Sequence, residues 1–209
     1  MPTLLHLDSS ANRSGESVSR RLTLRYAQTW RTANGEAGYH HRDLAAQPPP
    51  ALDTAFCTLG RRLERRGLVA PGQVAAHAET AAERAAWAQT HPLIAEAHAA
   101  DTLLIGAPMY NYAIPAPLKA WIDRISFPLP GDLLAGTTVI VVATRGGRFG
   151  TPDDHHIPYL RTVLRKHGAT DIRFVTAEFT LAGYLPHLNH RRPEAQTSLA
   201  AAQAALDRG

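Results

Sequence analysis

Five short runs of strand-like residues, each followed by a stretch with helical spacing, divide the chain, and this alternation most restricts its fold. The runs are Thr3–Asp8, Gly38–Leu44, Thr102–Gly106, Gly136–Thr144 and Ile172–Glu178. The fourth is rich in Val, Ile and Thr and carries no charge, as a strand covered on both faces requires. The second is polar and belongs at a sheet edge. Strands that alternate with helices build a parallel sheet, because a parallel pair needs a crossover long enough to hold a helix. The expected fold is α/β, a doubly wound five-stranded parallel sheet in the order 2-1-3-4-5. A chain of 209 residues with 44% hydrophobic content buries one core, so a single domain over residues 1–209 is expected.

Helical patterns cover about 17–30, 51–66, 74–99, 115–125, the segment up to Lys166 and the stretch from Arg191 to Leu206. Pro92 marks a kink or a junction between helices, and Gly168 reads as a C-terminal cap. The long segment 51–99 exceeds what a minimal sheet needs. It is expected to form a wall or lid at one edge of a ligand crevice, or a subunit contact.

In the order 2-1-3-4-5, strands 1, 3 and 4 are neighbours, and their C-terminal loops meet where such sheets bind ligands. The first loop holds Ser10, Ser17, Val18 and Ser19 at a helix start. Hydroxyls and first-turn N–H groups suit a phosphate, while a serine there serves equally well as an N-cap. The loop lacks the Walker lysine pattern and the GxGxxG fingerprint, which argues against triphosphate hydrolysis and a Rossmann dinucleotide site. The second loop, Ala107–Pro108–Met109–Tyr110–Asn111–Tyr112, offers two flat rings, an amide and a thioether, a set suited to a large planar ligand. The third, Thr144–Arg145–Gly146–Gly147, has consecutive glycines that permit positive φ and bring bare amides to a ring edge; a tight turn explains them as well.

The formal charge is +4, yet lysine occurs only at Lys119 and Lys166 and arginine is scattered. The tightest group, Arg61–Arg66, is interrupted by Glu64 and has no interleaved aromatics, so a solvated helix face is expected and no nucleic-acid partner. No apolar run spans a bilayer and the start leads straight into a strand, which predicts a cytoplasmic protein without membrane contact. The lone Cys57 is expected to be a small, half-buried residue. His40 and His41 point to opposite strand faces, and the pairs His155/His156 and His187/His190 lack cysteines or converging carboxylates, so no metal is assigned.

Taken in order, the serine loop, Arg42–Asp43–Leu44, Leu52–Asp53, Pro108–Met109–Tyr110–Asn111–Tyr112, Thr144–Arg145–Gly146–Gly147 and Pro158–Tyr159–Leu160 resemble the FMN-dependent NADH-azoreductases, within the flavodoxin-like NAD(P)H:quinone oxidoreductases. The resemblance spans nearly the whole chain. It implies that Ser10, Ser17, Val18 and Ser19 hold the FMN phosphate, Val18 through its backbone. Pro108, Met109, Tyr110, Asn111 and Tyr112 would line the isoalloxazine, and Thr144, Arg145, Gly146 and Gly147 would border its pyrimidine side. Asn111 and the Gly146–Gly147 backbone are the catalytic candidates, placed to stabilise charge in the reduced ring. It further implies NADH or NADPH as donor, a quinone or azo compound as acceptor, ping-pong kinetics and a homodimer. One departure stands out: between Phe127 and Gly136 this chain is shorter than the family pattern, in a segment that covers the flavin in relatives. The alternatives are a flavodoxin-type electron carrier, disfavoured by the basic charge, and a flavodoxin-like protein that has lost FMN.

Overall fold

The computed structural model describes residues 1–150 and 154–208. Strands β1 (Leu4–Asp8), β2 (Tyr39–Asp43), β3 (Thr102–Pro108), β4 (Thr138–Thr144) and β5 (Asp171–Ala177) form one sheet in the order β2-β1-β3-β4-β5. Every neighbouring pair is parallel, as expected. Asp8 lies opposite Gly106, and Pro108 opposite Thr144, so the loops after β1, β3 and β4 leave from one edge.

Strand alternation sorts the side chains between two cores. Leu4, Leu104, Ile140, Val142 and Val175 pack against Leu22, Tyr26 and Trp30 of α1 (Val18–Asn34) and Leu206 of α6 (Arg192–Asp207). Leu5, Leu7, Leu103, Ile105, Val139 and Val141 face the other way, toward α2 (Thr54–Arg66), α3 (Ala81–His98), α4 (Ala116–Ile125) and α5 (His156–Lys166). Strand β2 is half-exposed and polar because it closes the edge.

Residues 51–99 are neither a lid nor a wall. Phe56, Leu59 and Leu63 of α2, Val74 of a short 3₁₀ turn (Pro71–His77), and Trp87, Leu93 and Ile94 of α3 belong to the second core, and α3 is the crossover into β3. Helix α3 runs through Pro92 without a junction, since Pro92 and Ala88, whose carbonyl the proline leaves unbonded, both face solvent. Its start is a capping box: Thr80 accepts from the Glu83 amide while Glu83 accepts from the Thr80 amide. Arg62 then pairs with Glu83 at 2.7 Å, so one member of the arginine run is a tie between α2 and α3.

Arg124 of α4 is fully buried and was not singled out by its sequence context. Its guanidinium donates to the carbonyls of Pro50 and Ala51 at 3.0 and 2.9 Å and to Thr90 Oγ1 at 3.0 Å, pinning the proline-rich connection to α3 and α4. Gly168 follows α5 with φ 91°, the left-handed conformation its capping role requires. Cys57 is exposed rather than half-buried, because it falls on the outer side of α2. Among the described residues, no helix is long and apolar enough to cross a membrane.

Candidate active site

Ser17 caps α1, accepting from the Arg20 amide, and its backbone is extended, so the chain turns sharply there. That turn buries three hydroxyls together. Ser17 Oγ donates to Ser10 Oγ at 3.0 Å and lies 3.2 Å from Ser19 Oγ. Among the described residues no carboxylate joins this chain of hydroxyls, so their protons can turn onto an anion. The amides of Val18 and Ser19 open the helix and have no carbonyl ahead of them. Capping and phosphate cradling, open alternatives in the sequence, are therefore compatible in one residue.

Arg20 fixes the loop from below, donating to the Ser10 carbonyl at 2.7 Å and to both oxygens of Asp43 at 3.0 and 2.8 Å. Burial works against its charge, but the Asp43 hydrogen bond and nearby Asp8 raise its pKa above the ordinary arginine value.

The loop after β3 is a hairpin turn. Tyr110 and Ala113 exchange two backbone hydrogen bonds of 3.0 Å, with Asn111 at φ 48° and Tyr112 at φ 68° between them. Two successive positive φ values are those of a type I′ turn, in which asparagine is at ease and tyrosine is strained. The sequence pattern, with no glycine, gave no sign of it. Tyr110 bends back onto the serine loop: its hydroxyl accepts from the Ala11 amide at 3.1 Å and lies 3.5 Å from Ser10 Oγ. Met109 donates its amide to the Thr144 carbonyl at 2.7 Å, which ties the second loop to the third.

Gly146 and Gly147 do not use positive φ, contrary to expectation. Gly146 serves close approach instead, because a Cβ there would lie 2.5 Å from Leu181 Cδ1. Among the described residues, the amides of both glycines find no acceptor. The Arg145 side chain turns inward, 5.3 Å from the Phe149 ring centroid and 3.9 Å from Asp154, while its amide donates to Ala177 and its carbonyl accepts from Thr180. Beneath it His156 is fully buried; burial, opposed by Asp154 and reinforced by Arg145, pushes its imidazole down to about 4.

Ser10, Ser17, Val18, Pro108 and Thr144, from all three loops, line one cavity of about 240 Å³. Tyr110 and Asn111 line a second, wider concavity of about 880 Å³ with Ile114, Pro158 and Tyr159. Ser19 joins the first through Ser17, while Met109, Tyr112, Arg145, Gly146 and Gly147 line neither. Residues missed by the sequence reading complete the smaller cavity: Asn12 and Glu16 of the first loop, and Thr180, Leu181 and Tyr184 after β5. The loop after β5 leaves from the same edge as the other three, so the rule that found them extends to it. The donor set fits a phosphate held by hydroxyls and amides.

Residues 2–206 match the family described as having a flavodoxin-like fold. The chain belongs to that family. Flavodoxin-like relatives include an FMN-dependent NADH:quinone oxidoreductase of Nocardia farcinica, 43% identical over 206 residues that span 96% of this chain and 94% of the relative. Another of that name, from Frankia alni, is 37% identical over 218 residues, spanning 99% and 97%. An azoreductase from Bacillus anthracis superposes with a TM-score of 0.80 at 19% identity, covering 100% of this chain and 98% of that one. An FMN-dependent NADH-azoreductase of the same species, solved with FMN, gives 0.76 at 17% identity, covering 100% and 99%. These two structures establish the shared flavodoxin-like fold.

Proposed function

We propose that this flavodoxin-like chain is an FMN-dependent NADH:quinone oxidoreductase that also reduces azo compounds, by ping-pong turnover in a homodimer. The observation that carries the reading is the cluster of three buried hydroxyls at the start of α1, opening into a cavity shared by all three rim loops. The curated relatives bear the same activity in their names. FMN, when bound, supplies hydride acceptance at its N5 position and two-electron delivery to the acceptor.

Ser10, Ser17 and Ser19 donate hydroxyl hydrogen bonds to the phosphate, and Val18 its amide. Pro108, Met109, Tyr110, Asn111 and Tyr112 would line the ring, Thr144 and Arg145 would border it, and the amides of Gly146 and Gly147, without an acceptor among the described residues, would face its pyrimidine edge. Asn111 sits at the tip of a strained, exposed turn, and such strain collects at functional positions. Its amide would donate to the ring and so stabilise its reduced form, as would the glycine amides. The donor and then the acceptor use the exposed ring face in turn, which needs no second nucleotide fingerprint. The wide concavity by Ile114, Pro158 and Tyr159 is open and largely apolar, the form of a face completed by a second copy.

The test is direct. The purified chain should take up one equivalent of FMN and oxidise NADH in a quinone-dependent manner, and failure to take up FMN overturns the reading. FMN uptake without quinone-dependent oxidation would mark an electron carrier. Asn111→Ala should slow flavin reduction more than tenfold while leaving FMN affinity within about threefold, roughly the cost of one transition-state donor; unchanged reduction removes Asn111 from the mechanism.

A further inference from the structure

His6 and Asp8 are two apart on β1 and so share a sheet face, and His41 of β2 stands opposite His6 in the register. The three side chains therefore converge at the β1–β2 edge, on the side covered by α1. His41 Nε2 lies 3.1 Å from Asp8 Oδ2, His6 Nε2 lies 3.4 Å from the same oxygen, and all three ligand atoms fall within 4.8 Å of one another. His6 is 1% exposed, and its Nε2 is buried without a hydrogen-bond partner. This is the only such group of histidines and carboxylates among the described residues.

We propose that His6 Nε2, His41 Nε2 and the Asp8 carboxylate bind a divalent transition ion of the zinc class, with water in the remaining position on the exposed His41 side. Tetrahedral zinc with nitrogen and oxygen ligands at 2.0–2.1 Å has ligand–ligand edges of about 3.3 Å. The two edges to Asp8, 3.1 and 3.4 Å, bracket that length, and the His6–His41 edge lies within 4.8 Å. The outer contacts also agree with a metal site. His6 Nδ1 lies 2.9 Å from the Tyr39 hydroxyl, a pairing that leaves the Nε2 lone pair facing Asp8 when Nδ1 donates. Two lone pairs then face each other across 3.4 Å, and a cation between them removes the repulsion. Asp8 Oδ1 is held by the Thr23 hydroxyl at 3.0 Å, which leaves Oδ2 for the ion. Gly106 makes room for this packing, since a Cβ there would lie 2.8 Å from Asp8 Oδ1.

Arg20 Nη1 stands 3.6 Å from Asp8 Oδ2 and opposes a second cation. Asp43 pairs with Arg20 and also takes the mostly exposed Arg13 at 3.2 Å, so these four groups sum to zero and Asp8 is the carboxylate that meets the ion's charge. The pair of ring nitrogens with one carboxylate suits zinc, nickel or copper and not calcium or magnesium, which take oxygen ligands. Neither strand motif announces the site in sequence. Its histidines come from different strands, and only the register joins them.

The 209-residue chain, stripped with a chelator, should bind one equivalent of zinc chloride in a calorimetric titration and give the visible absorption of tetrahedral cobalt when cobalt(II) is used. His41→Ala should weaken zinc binding at least tenfold and abolish the cobalt spectrum. His40→Ala, on the opposite strand face, should leave both intact. His41 is half-exposed, so its replacement is expected to keep the far-UV circular dichroism and thermal midpoint of the metal-free chain. The absence of a stoichiometric site overturns the proposal. So does zinc binding that His41→Ala leaves unchanged or that both alanine variants weaken alike, for the ion then sits on other histidines. Because the titration reads metal alone, its outcome is separate from that of FMN uptake.

Discussion

Individual residues carry the two functions that the rim divides, holding a phosphate and presenting an amide. A hydroxyl hydrogen bond to a charged group contributes about 1.5–3 kcal/mol. Ser17→Ala with Ser19→Ala removes two of them and should therefore weaken FMN binding by about two to four orders of magnitude, read by quenching of flavin fluorescence on titration. Since Ser17 also caps α1, the double variant should lose about 1 kcal/mol of stability. Affinity that stays unchanged in a folded variant would place the phosphate elsewhere. Tyr112 poses the opposite case. At φ 68° and 56% exposed, it bears backbone strain of about 1–2 kcal/mol that little burial offsets. Glycine there removes the strain at an entropic cost of about 0.5–1 kcal/mol. Tyr112→Gly should leave the chain equally stable or more stable by up to about 1 kcal/mol in urea unfolding, while turnover falls; a clear loss of stability would mean the ring is held by contacts the chain alone lacks.

Elements were legible in the sequence to the extent that their signal is periodic. The central strand β4 reads from Val, Ile and Thr alone, and Gly168 from its place after a helix, because burial on both faces and a left-handed cap each admit few residue types. The core role of the 51–99 segment is hard to read because α3 is alanine-rich and its face weak; α2 shows a clear apolar side, but only the contacts of Phe56, Leu63, Trp87 and Ile94 reveal that both helices pack on the sheet. The type I′ turn at Asn111 escaped for a related reason. Tertiary ties from Tyr110 to Ala11 and from Met109 to Thr144 impose a conformation that local preference does not select. Arg124 was hidden too, since an arginine on an amphipathic helix ordinarily faces water. In this fold it satisfies the carbonyls of Pro50 and Ala51, whose segment has no strand or helix of its own to do so. Arg124→Met keeps the apolar stem, removes the donors from the Pro50 and Ala51 carbonyls and leaves the buried Thr90 hydroxyl without its guanidinium partner. The loss should be about 2–4 kcal/mol, seen as a lowered urea midpoint with secondary structure retained below it.

For the whole molecule the protonation of its buried groups sets how stability follows pH. His156 titrates at about 4 in the folded chain against 6.5 when free, because burial disfavours the imidazolium. The unfolded state therefore binds the extra proton more readily between those values, and stability rises with pH there. The contribution is fully present above about pH 6.5, falls by up to about 1.4 kcal/mol per unit as pH drops, and is gone near pH 4, a total on the order of 3 kcal/mol. Glu83 acts in a lower window. Its hydrogen bond with Arg62 pulls its carboxyl down to about 2 from 4.5, so the stability it lends is lost only as pH falls through that range. The two windows barely overlap, and His167, which burial also holds below the ordinary histidine value, shares the upper one with His156. Urea midpoints measured from pH 7 to pH 4 should decline most steeply around pH 5 and 6, and His156→Leu, which fills the site without a titrating group, should flatten that part of the curve while leaving the acid limb below pH 4. A slope between pH 4 and 6.5 that survives the substitution would assign the loss to other histidines among the eleven in the chain, and would remove the Arg145–Phe149–His156 packing from the account of acid sensitivity.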